Sequence, residues 1–412
     1  MRSSVILFAN DLVDEGFDKV VDTIRELAQA DALTVACNYH HSRDVLPHNP
    51  RRRIVYMRGG VYFQPTPGRF DRLKIKPDVV DFALEDDPLE RLVATAKKRG
   101  MQVRAWTNGT HSTIQASTHL DCAVQNAFGD AYITTLCPAN PDVRAYLCAL
   151  NGELNRYELQ GLLAESLSFM PFDHGYHHER SMVPLAPSVR FVLGLCFCPY
   201  CRSAGREAGV DSDKLAAYVR DEVDLSLNGR PSTLDGVTVD REPISALGGG
   251  DMGGYLKGRR RTVTTLFEEL VDAVSPLPVD VMEWSGGLRA VGAGMQIGTP
   301  AGTTVSRSWQ DGVDVGELPS GCRGLSVQGY VASPEVLRND LNDYRAAMPK
   351  GKALSVCLRP MWPDCESVDV LRSKLSVLRE EGAEWVDFYH FAFMPLKNLG
   401  WVGEARDAMG QY

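Results

Sequence analysis

"LQGLLAES", Leu159 to Ser166, is a nearly unbroken apolar run that ends on a carboxylate. It does not alternate between apolar and polar residues, as a strand with one wet face does. A run of this kind suits a strand of a parallel sheet covered on both faces. Seven more runs read the same way: "SVILFAN" (Ser4–Asn10), "ALTVACNY" (Ala32–Tyr39), "QVRAWTN" (Gln102–Asn108), "VDVMEW" (Val279–Trp284), "RGLSVQGY" (Arg323–Tyr330), "ALSVCLRP" (Ala353–Pro360) and "WVDFYHF" (Trp385–Phe391). Helical patterns with start and stop signals lie between them. Asp86-Asp87-Pro88 opens one that ends at Gly100, Asn140-Pro141 opens a second, and Ser333-Pro334 opens a third. Helices also read from "RRTVTTLFEELVDAV", which puts Val263, Leu266, Phe267, Leu270 and Val274 on one face, and from "DVLRSKLSVLREEG" before the last strand.

Eight strands alternating with helices over 412 residues predict an α/β fold, a (β/α)8 TIM barrel spanning residues 1–412 as a single domain. A doubly wound open sheet is the competing fold, but no G-x-G-x-x-G follows the first strand. "TTVSRSW" (Thr303–Trp309) is a ninth strand-like run, read as part of the loop before the sixth strand. From Leu167 to Pro278 no strong strand candidate occurs. That stretch reads as a long insertion after the fourth strand, on the barrel face where active sites are built. It holds a histidine-rich segment, a cysteine cluster, an acidic helix around "DKLAAYVRDEVDLSL", and "GGGDMGG" (Gly248–Gly254), read as a flexible loop.

Composition narrows the function. Net charge is −9 and the arginine triplets at 51–53 and 259–261 are short, which argues against a nucleic-acid partner. The first apolar run is too short for a signal-peptide core or a membrane span. The sequence therefore reads as cytoplasmic with no membrane partner, and a homo-oligomer is compatible with it. Ten cysteines in this length are too sparse for a disulfide scaffold.

"GLCFCPYCR" (Gly194–Arg202) packs Cys196, Cys198 and Cys201 together. Three readings stand: a metal clamp, a redox pair built on C-P-Y-C, or thiols packed in a loop. A tetrahedral zinc site needs a fourth ligand. Cys137, just ahead of the helix that feeds the fourth strand, is the best candidate.

"LCPANPDVRAYL", a short fourth strand ending in Glu165, and then "CFCPYCR" resemble the central part of glycoside hydrolase barrels near the family 42 β-galactosidases and their hydrolase-like relatives. Specific residues support this over roughly residues 132–202. The resemblance implies Cys137, Cys196, Cys198 and Cys201 as ligands of a structural zinc, and Glu165 as catalytic acid/base. Two departures stand beside it. Ala164 precedes Glu165 where that group has asparagine, and the seventh strand ends in Arg359 where that group has a glutamate nucleophile.

Strand C-termini in such a barrel deliver Asn10 and Asp11, then Asn38, His40 and His41, then Trp106, Asn108 and His111, then Glu165. Glu283 and Trp284, Gln328 and Tyr330, Arg359 and Trp362, and His390 follow. Aromatic rings beside amides and carboxylates suit a small carbohydrate. Glycoside cleavage needs two carboxyl groups. Glu165 and Glu283 are the strand-end glutamates, with Asp311 in reserve. Asn38, His40, Trp106, Asn108, His111, His174, Trp284, Gln328, Arg359 and His390 are the candidate substrate contacts. "FDHGYHHER" (Phe172–Arg180) offers Asp173, His174, His177, His178 and Glu179 for substrate contact, a catalytic metal, or a solvated loop. A metal-dependent sugar isomerase, epimerase or lyase, and a non-catalytic carbohydrate-binding barrel, are the competing functions.

Overall fold

The computed structural model describes residues 1–174, 180–289 and 303–410. Eight parallel strands close into a barrel: β1 (Arg2–Leu7), β2 (Ala32–Ala36), β3 (Gln102–Asn108), β4 (Leu162–Glu165), β5 (Val279–Glu283), β6 (Gly324–Gln328), β7 (Ala353–Leu358) and β8 (Trp385–Phe388). Each pairs with its neighbours in chain order, and β1 pairs with both β2 and β8. All eight fall on the apolar runs of the sequence.

The reason those runs are continuous is visible in the packing. Alternate residues of each strand enter two different apolar environments. One set, including Val5, Leu7, Val35, Val103, Ala105, Leu162, Val281, Val356 and Phe388, joins the helices in the outer core. The other set, including Ile6, Ala36, Trp106, Leu163, Met282 and Cys357, fills the barrel interior. The helices start where the caps place them. The side chains of Asp87, Asn140, Ser333 and Ser367 each accept backbone N–H groups of the first turn, and proline follows the first three.

Beneath the apolar interior lies a charged layer. Arg104 of β3 reaches Asp387 of β8 at 2.7 Å and Asp280 of β5 at 2.8 Å. Asp387 also accepts from Ser4, Thr34 and Trp385, and Arg323 pairs with Asp280. The Arg104 guanidinium lies 4.5 Å from the centre of the Trp385 ring.

Between β4 and β5 the described residues form helices: Pro187–Leu193, Pro199–Glu207, Ser212–Leu227, Arg241–Ala246 and Asp251–Val274. The "GGGDMGG" stretch differs from expectation. Gly248, Gly249 and Gly250 take left-handed φ of 61°, 70° and 97°, and Asp251 then opens the longest helix. The glycines form its N-terminal turn, and the last four residues of the motif are helical. "TTVSRSW" lies in the loop before β6, as read, but it folds as 3-10 helix Thr304–Asp311. A closed barrel leaves no sheet edge for it to join.

Replacing Arg104 with leucine is expected to destabilise the fold by about 3–5 kcal/mol, because two buried carboxylates lose their shared partner. Urea denaturation reads this directly, and an unshifted midpoint would remove the charged layer from the account of closure.

Candidate active site

A cavity of about 320 Å³ opens at the C-terminal ends of the strands. Strand parity decides what it contains. On β3 the inward positions are Arg104, Trp106 and Asn108; on β5 they are Asp280, Met282 and Trp284. The lower member of each set sits in the charged layer and the upper ones line the cavity.

Glu165, the last residue of β4, faces this space. Its Oε2 accepts a hydrogen bond from Trp106 Nε1 at 2.7 Å. Burial pushes its carboxyl up to about 7, against the smaller opposing effect of the Trp106 bond. The chain leaving β4 is held firmly. Gly109 N–H donates to Glu165 O at 2.9 Å, and Thr110 N–H donates to Ser166 O at 2.6 Å. A Cβ at Gly109 would stand 2.7 Å from Ser166 O, so only glycine permits this approach. Ser166 itself has φ +54°, a conformation that side-chain-bearing residues seldom adopt.

His40, His111, His174 and Trp284 form one aromatic wall. The His40 and His111 rings stack at 3.8 Å, His174 Nε2 lies 3.3 Å from His111 Nδ1, and His174 meets Trp284 at 5.3 Å between ring centres. Asn108, Gln328 and Arg359 also line the cavity, and Trp362 stands 72% exposed at its rim. His177, His178 and Glu179 lie outside the described residues.

Four candidates sit elsewhere. Glu283 has the opposite parity to Met282 and Trp284, so its carboxylate points outward. There it accepts from Ser285 Oγ, from Ser285 N–H at 3.0 Å and from the Tyr344 hydroxyl, away from the cavity. Asp311 is buried near Glu283 and Arg259, also outside the cavity; burial, then the Glu283 charge, raises its carboxyl well above the usual range. Asn38 clamps β3: its Nδ2 donates to Asn108 O and its Oδ1 accepts from Asn108 N at 3.1 Å. His390 is fully buried with its ring 4.1 Å from Phe8, and burial holds it well below the usual imidazole range. It is a neutral core residue.

The second carboxylate in the cavity is one the strand ends did not reveal. Asp44 belongs to strand Ser42–Val45 of a small antiparallel hairpin with Ile54–Met57, inserted between β2 and β3. Its Oδ2 accepts from Ser42 Oγ at 2.7 Å, and burial raises its carboxyl. Burial first, and then the charges of Glu165 and Asp44, raise the hydroxyls of Tyr39 and Tyr389, a hydrogen-bonded pair that also lines the cavity. The alternation in "SRDV", with Ser42 and Asp44 on the half-buried face, was the available signal.

The four cysteines converge. Cys137 Sγ lies 3.6 Å from Cys198 Sγ, 3.4 Å from Cys201 Sγ and 3.7 Å from Cys196 Sγ, and all four are buried. A disulfide would bring sulfurs to about 2.05 Å. Four sulfurs around a metal at about 2.3 Å stand about 3.8 Å apart, so this set can hold a metal ion. It is the one such group among the described residues. The cluster ties the loop before β4 to the stretch after it, where Phe197 N–H donates to Gln125 O at 2.6 Å and Gln125 N–H points at Cys196 Sγ at 3.3 Å.

No protein-family model matches the chain, and no curated protein matches it. Solved structures do. The α-L-fucosidase isoenzyme 2 of Paenibacillus thiaminolyticus aligns over 100% of this chain at 14% identity and TM-score 0.55. This chain spans 49% of that one, about half its length. The catalytic domain of β-amylase from Paenibacillus polymyxa aligns over 100% of this chain and 98% of its own, at 11% identity and TM-score 0.52. At these identities the likeness is one of fold, and neither is a family 42 β-galactosidase. No helix of the described residues is long and apolar enough to cross a membrane.

Trp106 donates to the ionised form of Glu165, so Trp106→Phe is expected to move the Glu165 titration above 7. Carboxyl-labelled NMR or difference infrared, with Glu165→Gln to assign the band, measures it. A downward move would show that the bond does not favour the carboxylate.

Proposed function

We propose that the protein cleaves a glycosidic bond in a small carbohydrate, with Glu165 as proton donor and Asp44 as its partner carboxylate. The observation that carries this reading is the Glu165 carboxyl, pushed up to about 7 inside an aromatic-lined cavity that it shares with Asp44. A group titrating there holds its proton often enough at neutral pH to donate it, and loses it easily enough to act as base afterwards. The two environments differ as an acid and its partner require. Glu165 is enclosed and receives one indole N–H, whereas Asp44 lies on a half-exposed hairpin beside a hydroxyl donor.

Protonation of the leaving oxygen by Glu165 and attack at the anomeric carbon from the other face form the chemical core of the proposal. A separation of about 5–5.5 Å between the carboxyls would let Asp44 attack directly; about 6.5–9.5 Å would leave room for a water that it activates. Trp284 and Tyr330 offer apolar ring faces to a pyranose, and Asn108 and Gln328 offer amides to its hydroxyls. Asn108 Oδ1 and Gln328 Oε1 have no protein hydrogen-bond partner.

For the four-sulfur cluster we infer structural zinc, from the all-cysteine donor set, the sulfur spacing and the burial of all four residues. The metal would fasten two loops of the cavity wall and take no part in bond cleavage. The competing metal-dependent isomerase reading needs imidazoles aimed at one point. His40 and His111 instead stack face to face, with 18° between their planes.

A panel of aryl glycosides tests the proposal. Glu165→Gln is expected to lower kcat/KM by about 10²–10⁴-fold, with the smallest loss on substrates whose leaving group needs no proton. The sign of the pH dependence follows from the raised carboxyl: activity falls as pH rises through about 7, and that limb vanishes in Glu165→Gln. Asp44→Asn should lose activity on every leaving group alike. Sugar binding without turnover of any glycoside would sink the catalytic reading. Elemental analysis should find one zinc per chain, kept in Glu165→Gln and lost in Cys198→Ser with a lower melting temperature; zinc-free protein of undiminished stability would overturn the metal assignment.

A further inference from the structure

The seventh strand sends Ser355, Cys357 and Arg359 into the barrel by the same parity that places Trp106 and Asn108. Arg359 therefore stands where a second acid would be expected in a glycosidase barrel, and it lines the same cavity as Glu165. Its side chain is only 11% exposed. One edge is satisfied, since Nε donates to Asp364 Oδ2 at 2.5 Å. One face is covered, since the guanidinium lies 4.4 Å from the centre of the Tyr330 ring. The other edge is not satisfied: Nη2 is buried and has no hydrogen-bond partner.

The mounting is rigid. Asp364 sits in a short loop whose backbone oxygen takes Lys374 Nζ at 2.6 Å, and Lys374 is completely buried. Asp364 N–H returns to Met361 O at 3.0 Å, and Asn398 Nδ2 donates to Pro360 O at 2.9 Å. A buried lysine spent on a backbone oxygen serves to fix that loop, and hence the carboxylate that orients the guanidinium. The outcome is a planar cation fixed in the wall of the ligand space, with one N–H unmade and no freedom to swing away to solvent.

An unmade N–H of a buried charge is costly unless something fills it. The group best matched to one edge of a guanidinium is a carboxylate, through two coplanar N–H···O bonds. A phosphate site ordinarily adds backbone N–H groups of a helix start or further cations. The other arginine at this cavity, Arg43, is on the exposed face of its hairpin. Arg359 is three strands round the barrel from Glu165, so an anion held here would be anchored away from the bond being broken.

We propose that the ligand is a carboxylate-bearing sugar, a uronic acid unit, whose carboxylate is held by the free edge of Arg359. This rests on the carbohydrate-site reading above, and binding tests it without turnover. Calorimetric titration of the full-length protein at pH 7 would compare glucuronate, glucuronamide, glucose and glucose 6-phosphate. Glucuronate should bind about tenfold or more tightly than its neutral amide or glucose, a difference of about 1.4 kcal/mol or more. Arg359→Gln should erase that preference and Arg359→Lys should recover only part of it, with melting curves confirming that both variants fold. The amide comparison uses wild-type protein alone and stands even if a variant does not fold. Equal binding of acid and amide, no binding of either, a preference that survives Arg359→Gln, or a tighter phosphate would each overturn the proposal. Glucuronate binding in this pattern with no cleavage of any aryl glycoside would remove the hydrolase reading and leave this one. Cleavage of aryl glucosides with no gain for glucuronides would do the reverse.

Discussion

Arg104 crosses the floor of the barrel and holds a carboxylate from each of two other strands. Few groups are as costly to bury as a guanidinium and two carboxylates, and they are tolerable only when their charges are paired. Ser4, Thr34 and Trp385 join Arg104 on one oxygen of Asp387, and Arg323 joins it on one oxygen of Asp280, while the other oxygen of each carboxylate is buried without a partner. The layer therefore fixes where β3 stands relative to β5 and β8. Trp106 is two residues further along β3 and Asn108 four. The indole that meets Glu165 and the amide that lines the cavity thus have their heights set by an ion pair at the opposite end of the barrel.

The strands were legible because the barrel wall is apolar on both sides, so each becomes an unbroken run. The same continuity hid the faces. In "VDVMEW" the apolar pattern alone does not say whether Glu283 or Trp284 points inward. The answer lies in Asp280, whose charge must meet Arg104 inside; counting from it by twos puts Met282 and Trp284 in the cavity and Glu283 among the helices. His390 was read as a strand-end contact for the same reason, and it lies in the core. Asn38 shows a different limit: an amide at a strand end can clamp the neighbouring backbone as readily as a ligand. Asp44 arrives on a hairpin between strands, so the strand ends alone do not reveal it. The cysteines were legible because three sulfurs in so short a segment have few ways to avoid one another.

The cavity is assembled from pieces with unequal freedom. Glu165 sits on a strand and is followed by Ser166, whose backbone conformation is held by Gly109 and Thr110. Arg359 follows directly on the end of β7 and is braced by Asp364 and a buried lysine. Asp44 rides on a two-stranded hairpin with one face in solvent. Precise placement and adjustable placement thus occur side by side, and the proposed acid is on the fixed part.

The sulfur cluster joins the loop before β4 to the stretch after it, and His111 and His174 reach toward each other from those same two segments. The two loops therefore behave mechanically as a single jaw. Parting them to widen the mouth would separate the four buried cysteines that pack against one another. Any widening of the mouth therefore falls to the facing side, where the half-exposed Ser42–Met57 hairpin and the exposed Trp362 stand.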